Sequence, residues 1–338
     1  MTTHMTVRKS QQGFSLIELL VALAINLVIV SAAAYLYLGT SDAKRALDQQ
    51  QSVNENGQYA LDIIGRDIVN AGFYPAVRNS NPSINSTTAT IKGSFKNPLP
   101  AVTAYKSGIF GCSSKKFDLS SQACVNHTSA TVTADTVVIN YFTNDTMGND
   151  IGQQVDCAGL NVSGASSNTG RASGTAGQVP IVPLFISNSY TLITATFSIE
   201  DQTIYTQSLT CGGNGSASGI YQPSVAGIES LQFRYGVFTD SDTLQPTRFY
   251  LASEMAALSN VSVNGVDKDA WGRVVAVEVC LVARGLLQTK TTSSTGTVTP
   301  YTNCSGTSVT PADRSIRRVY RKVFALRNNL TQIIIPAN

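Results

Sequence analysis

The chain has 338 residues, 24 basic and 21 acidic for a net charge of +3, and only 13% of its residues are charged, well below the usual quarter of a soluble globular chain. Ser, Thr, Asn and Gly fill the difference, which reads as a secreted, β-rich protein and gives little support to a nucleic-acid partner. Six cysteines with no Cys-x-x-Cys pair, and two histidines in all, argue against a zinc centre.

Residues 1–13 are polar, end in Arg8-Lys9-Ser10-Gln11-Gln12-Gly13, and hold two of the basic residues and no acid. From Phe14 to Leu38 the only charged residue is Glu18, and such a stretch is long enough to cross a bilayer as a helix. A secretory signal peptide would carry a shorter apolar run followed by a small-x-small site. Here the small residue, Gly13, precedes the run. A plain membrane anchor explains the apolar stretch and the flanking Arg8 and Lys9. It leaves Glu18 unexplained, because a carboxylate in an apolar helix is costly unless paired.

The run Gly13-Phe14-Ser15-Leu16-Ile17-Glu18-Leu19-Leu20-Val21-Ala22-Leu23-Ala24 resembles the class III signal of type IV pilins and type II secretion pseudopilins. The resemblance implies cleavage after Gly13 by a prepilin peptidase, methylation of the new N-terminal Phe14, and pairing of Glu18 with the N-terminal amine of a neighbouring subunit. An ammonium and a carboxylate buried in one dry helical bundle neutralise each other. The proline that often kinks this helix in major pilins does not occur between Phe14 and Tyr74, which leaves Gly39, Gly57 and Gly65 as the points of weakness.

Residues 40–72 are expected to continue the helix amphipathically. Ala43, Leu47, Val53, Ala60, Leu61, Ile64, Ile68 and Ala71 fall near one stripe, and Asp62 and Arg66 form an i,i+4 pair on the other side. Gly72 and Pro75 mark the stop. Unbroken, the helix would span about 85–90 Å at 1.5 Å per residue. Arg66-Asp67 and Ala71-Gly72-Phe73 are similar to the helix end of PilW-type minor pilins and J-type pseudopilins.

Beyond Pro75 the pattern is β-like, with strands expected at 136–142, 190–199, 225–237, 274–283 and 319–326, and an edge strand at 331–335. Polar stretches at 78–100, 143–178, 207–219 and 286–313 read as loops. The segments 225–236, 271–284 and 320–328 also resemble PilW-type pilins; 78–135 and 143–180 match no known pattern. Oxidative pairing in sequential order, Cys112–Cys124, Cys157–Cys211 and Cys280–Cys304, makes the shortest closures among the 15 possible sets.

Chemistry is sparse. His127 is the single histidine beyond residue 13, which argues against a Ser-His-Asp triad and reads as a solvated surface side chain. Cys211-Gly212-Gly213-Asn214-Gly215 reads as a turn. Asp240-Ser241-Asp242 lacks the later Gly and Glu of a calcium loop. The cations Arg314, Arg317, Arg318, Arg321, Lys322 and Arg327 alternate between strand faces and read as solvated edge charges rather than a nucleic-acid patch. No catalytic residue, metal or cofactor is expected.

The expected fold is α+β: a long N-terminal helix packed on an antiparallel sheet with disulfide-tied loops. The expected division is a 1–13 leader, a 14–39 transmembrane or filament-core helix, a 40–72 amphipathic half and a 73–338 periplasmic domain. The resemblance implies a structural subunit held in the bacterial inner membrane and then incorporated into a pilus, at its tip by reason of size. Its partners would be the prepilin peptidase, other minor pilins and the major pilin. A J-type pseudopilin of type II secretion and a tip adhesin whose loops bind a surface receptor or DNA are the alternatives.

Overall fold

The computed structural model describes residues 15–73, 107–129, 132–142, 155–160, 162, 185–199, 202–215, 220–239, 245–263, 266–286, 300–311, 313 and 315–328. Gly13, Phe14, Asp240, Ser241, Asp242, Arg314 and the expected strand at 331–335 lie outside these residues. Two compact units are separated at Asp48 and Gln49.

The first unit carries most of the apolar part of helix α1, which runs over Leu16–Asn70 for 55 residues. Residues 16–40 are exposed throughout, among them Leu16, Leu20, Leu27, Val30 and Leu36. Hydroxyls in this stretch are satisfied within the helix: Ser31 Oγ donates to Leu27 O (2.7 Å) and Thr40 Oγ1 to Tyr37 O (3.0 Å). Such back-bonding lets an apolar helix carry polar side chains without exposing an unmet donor. The helix is long and apolar enough to cross a membrane.

In the second unit the last turns of α1 join the sheets. The strands are β1 (Ile109–Cys112), β2 (Lys116–Asp118), β3 (Ala123–Val125), β4 (Thr136–Phe142), β5 (Phe185–Ile199), β6 (Gln202–Gly213), β7 (Gln222–Ala226), β8 (Ile228–Val237), β9 (Arg248–Tyr250), β10 (Val261–Val263), β11 (Val266–Lys268), β12 (Val274–Arg284), β13 (Tyr301–Thr302), β14 (Ser308–Val309) and β15 (Arg317–Ala325). A five-stranded sheet is ordered β1-β4-β5-β6-β7 and a four-stranded sheet β15-β12-β8-β9; β2-β3, β10-β11 and β13-β14 are small hairpins. Every pairing is antiparallel.

The single expected sheet is therefore two larger ones, and the chain crosses between them at Gly227. The expected strand at 225–237 breaks there because Gly227 adopts φ 75°, a conformation that costs a side-chain-bearing residue dearly. A Cβ at that position would also press on Arg284 O. Gly227 N–H donates to Gln207 O (3.1 Å) and Arg284 N–H to Gly227 O (2.7 Å), so the corner is tied to both sheets.

Inward residues of both sheets share one core with the helix. Ile64 and Ile68 of α1 meet Val137, Ile139, Tyr190, Leu192 and Leu209 from the first sheet and Phe233, Tyr235, Val277, Val279 and Leu281 from the second. The opposite face of the first sheet is buried but polar. There Thr136 Oγ1 bonds Thr191 Oγ1 (2.9 Å) and Thr210 Oγ1 donates to Thr191 O (3.0 Å). Tyr221 Oη donates to Phe117 O (2.7 Å), fastening the β2-β3 hairpin, whose Phe117 is buried.

Further corrections concern short or polar strands. The stretch 207–219, read as a loop, begins inside β6. The segment 78–135 contains β1, β2 and β3, and β9, β10 and β11 were not foreseen. Disulfides join Cys112 to Cys124, Cys157 to Cys211 and Cys280 to Cys304. Four of these cysteines lie within strands rather than loops: Cys112, Cys124, Cys211 and Cys280.

Candidate assembly site

At the head of α1, Ser15 precedes the first helical turn and its backbone N–H donates to Glu18 Oε2 (3.1 Å). This is half of a capping box: the third helical residue returns to satisfy a donor that the helix leaves open. The carboxylate is thereby aimed back toward the chain's start while its neighbours Leu16, Ile17, Leu19 and Leu20 stand exposed. Such a group can receive a cation at the helix N-terminus, in a surface with no other charge of its own up to Leu38.

The other end of α1 is built for rigid attachment. Val53, Ala60, Leu61, Ile64, Ile68 and Ala71 are buried, following the expected stripe, whereas Leu47 is 64% exposed. Gly57 and Gly65 are not weak points within this continuous helix. They are seats for the rings of Tyr320 and Phe324 of β15, which a Cβ at either glycine would strike. The two repeats match: eight helical residues rise about 12 Å and four strand residues about 13 Å. Tyr320 Oη also donates to Asn54 Oδ1 (2.7 Å), which receives Arg318 Nη1 (2.6 Å) as well.

The helix end is closed by remote groups. Gly72 adopts φ 75° and its N–H donates to Asn140 O (2.8 Å). Asn328 Nδ2 reaches the carbonyls of Val69 (3.3 Å), Asn70 (3.4 Å) and Ala71 (3.2 Å), acceptors that a helix terminus leaves unmet. One turn earlier, Asp67 Oδ2 accepts from Tyr190 Oη and Asn188 Nδ2, both at 2.7 Å. Burial raises the Asp67 carboxyl above its ordinary range, against the opposing pull of these hydrogen bonds and of Arg66. Asp62 and Arg66 pair on the exposed side at 3.3 Å.

The basic residues of the last strand are largely engaged. Arg317 grips Glu229 through Nε–Oε2 (2.6 Å) and Nη2–Oε1 (3.1 Å), and Asp313 through Nη1–Oδ1 (2.6 Å) and Nη2–Oδ2 (3.1 Å). Arg284 joins Asp313 at 2.9 Å. Hydrogen bonding to Arg317 holds the Asp313 carboxyl down at about 2. Arg321 pairs with Glu278 at 3.0 Å. His127, expected to be solvated, is half-buried with Nε2 2.8 Å from Ala134 O, a structural bond. Among the described residues no group of three or more His, Cys, Asp or Glu is arranged to hold a metal ion.

Sequence reasoning located Glu18 and the buried stripe but missed the glycine seats and the Asn328 cap. The seats had a signal: glycines spaced by eight in a helix, and aromatics spaced by four in a strand.

Residues 8–34 match the prokaryotic N-terminal methylation motif, and residues 196–328 match the family described as Type IV Pilus-assembly protein W. No curated protein matches the chain. Among solved structures, a type IV-like pilin from Thermus thermophilus aligns over 81% of this chain and 96% of its own, at 10% identity and a TM-score of 0.36.

Proposed function

We propose that this chain, which belongs to the PilW type of minor pilin, is a structural subunit that primes or caps a type IV pilus, supporting pilus biogenesis, twitching, adhesion and DNA uptake. The observation that carries the reading is Glu18: one carboxylate at the head of an exposed apolar helix whose far end is locked into a β domain. The prepilin motif implies processing by a prepilin peptidase after Gly13, with Phe14 as the methylated N-terminus. The freed amine of one subunit then meets Glu18 of the next, and the two charges neutralise each other in the dry filament core. Before assembly the same helix anchors the chain in the inner membrane with residues 73–338 in the periplasm.

A priming or capping position suits a domain with long connecting segments, which repeats poorly along a tightly packed shaft. The test is Glu18→Ala in the full chain. Cleavage, read by mass spectrometry, is retained, and incorporation into sheared filaments falls at least tenfold. Normal incorporation would refute the pairing. Gly13→Leu provides the opposite pattern: the leader stays attached, and no filament contains the protein.

A further inference from the structure

Strand β15 forms one margin of the second sheet. It pairs with β12 from Ala276 opposite Ala325 to Arg284 opposite Arg317 without a register shift, and among the described residues it has no strand on its other side. Two bonds that bracket it set its alternation: Gly285 N–H donates to Ile316 O (2.8 Å) and Leu326 N–H to Val275 O (2.8 Å). Even-numbered residues therefore turn their backbone groups to β12, and Arg317, Val319, Arg321, Val323 and Ala325 turn theirs outward. A straight edge of nine residues is a template for another strand, and proteins usually break such an edge with a proline or a bulge; β15 has neither.

The side chains narrow the occupant. Arg321, Lys322, Val323 and Ala325 are exposed, and Val323 is 51% exposed. Glu229, Asp313 and Glu278 answer Arg317 and Arg321. Arg318 and Lys322 meet only Asn54 and the rings of Tyr320 and Phe324, and with Arg327 they form no ion pair among the described residues. The edge thus offers a row of outward amides, an apolar side at Val323 and an unneutralised cationic side at Lys322.

We infer that residues 321–325 of β15 receive an extended strand of a neighbouring filament subunit, one that alternates apolar side chains over Val323 with carboxylates toward Lys322 and Arg327. Main-chain bonds supply affinity in such strand addition and the alternate side chains supply selectivity. The inference rests on the pilin reading, which provides the neighbouring subunit.

The test uses the full chain in detergent and two blocked peptides, Val-Glu-Val-Glu-Val and Val-Lys-Val-Lys-Val. Amide exchange at Arg321, Val323 and Ala325 slows at least tenfold with the glutamate peptide and is unchanged with the lysine peptide. Val323→Pro removes one outward N–H and leaves the β12 ladder intact, so it keeps the fold and loses the protection. Lys322→Glu reverses the peptide preference, a result that simple loss of structure cannot give.

Three outcomes overturn the inference: neither peptide protects the edge; the edge is protected without peptide and freed by truncation after Asn328, so the chain's own terminus covers it; or a DNA duplex displaces the peptide and binds in a Lys322-dependent way. Leader cleavage and membrane insertion are measured on the same chains. Their failure in the parent sinks the pilin reading, whereas normal filament incorporation of Val323→Pro sinks the edge alone.

Discussion

The ring of Tyr320 lies against the bare Cα of Gly57, so close that a Cβ there would overlap Cε2, Cδ2 and Cζ of the ring. Phe324 repeats the relationship at Gly65. Glycine within a helix costs about 1 kcal/mol relative to alanine, so replacing it should stabilise the chain if space allowed. Here overpacking, typically about 1–3 kcal/mol, outweighs that gain. Gly57→Ala and Gly65→Ala are each expected to lower the unfolding temperature of the β domain. Gly39 has nothing within 4 Å, so Gly39→Ala is expected to leave it unchanged. Equal behaviour of all three in thermal unfolding would remove the packing argument.

Asp67 predicts a pH dependence of unusual sign for a carboxylate. Its folded-state pKa is raised by burial, so the folded chain binds its proton more readily than the unfolded chain does. The resulting stability is fully present below the ordinary carboxylate range and is lost as pH rises through the raised value. Asp67→Asn keeps an acceptor for Tyr190 and Asn188 and removes the titration. The variant is expected to match or exceed the parent in unfolding temperature at neutral pH, with a flatter profile through mild acid. Tyr190→Phe, which strips one donor from the carboxylate, is expected to cost about 1–2 kcal/mol at neutral pH.

These contacts show what was legible in the sequence. The buried stripe of α1 and the strand at 136–142 follow from periodicity alone, because Val53, Ala60, Ile64 and Ile68, and Val137 and Ile139, repeat with the helix and strand periods. Glu18 stood out because it is the one charge in an apolar run. The polar strands did not stand out. In β5 and β6, Ser187, Ser189, Ser208 and Thr210 are buried yet read as loop residues. Asn328 as a helix cap depends on a contact across more than 250 positions (|i−j| 257 to the carbonyl of Ala71), and no local pattern encodes it. Two sheets rather than one depend on Gly227, whose backbone conformation the residue type permits but does not demand.

Arg317 is expected to matter more than any other cation of β15. Its side chain is only 5% exposed and it bridges two acids, Glu229 and Asp313, that are 30% and 21% exposed. Breaking a fully buried pair costs about 3–5 kcal/mol; partial access of water to these acids brings the expected loss for Arg317→Met to about 2 kcal/mol. Arg317→Lys keeps the charge but not the two-pronged geometry and falls between. The Asp313 carboxyl, held at about 2, contributes stability above the ordinary carboxylate range that is lost as pH falls toward 2. Acid titration of the unfolding free energy should show this loss in the parent and a smaller one in Arg317→Met.

The disulfides divide into one that holds a segment alone and one that shares the task. Chain-entropy arguments give closures of this length similar weights, about 3–4 kcal/mol each, so packing decides the local consequence. Cys280 and Cys304 form a small cluster with Val282 as its only other buried member among the described residues, Tyr301 and Val319 packing at its margin. Without the bond the β13-β14 hairpin keeps little besides the Arg321 contact to Cys304 O (3.0 Å). The β2-β3 hairpin, by contrast, retains buried Phe117 and the Tyr221 hydrogen bond if Cys112–Cys124 is removed. Replacing Cys280 and Cys304 with alanine is therefore expected to abolish amide protection across 300–309 at neutral pH. Replacing Cys112 and Cys124 is expected to lower global stability while leaving 116–125 protected up to the unfolding transition. Hydrogen exchange resolved by residue checks both, and loss of protection at 116–125 in the second variant would show that Phe117 does not hold its hairpin in place.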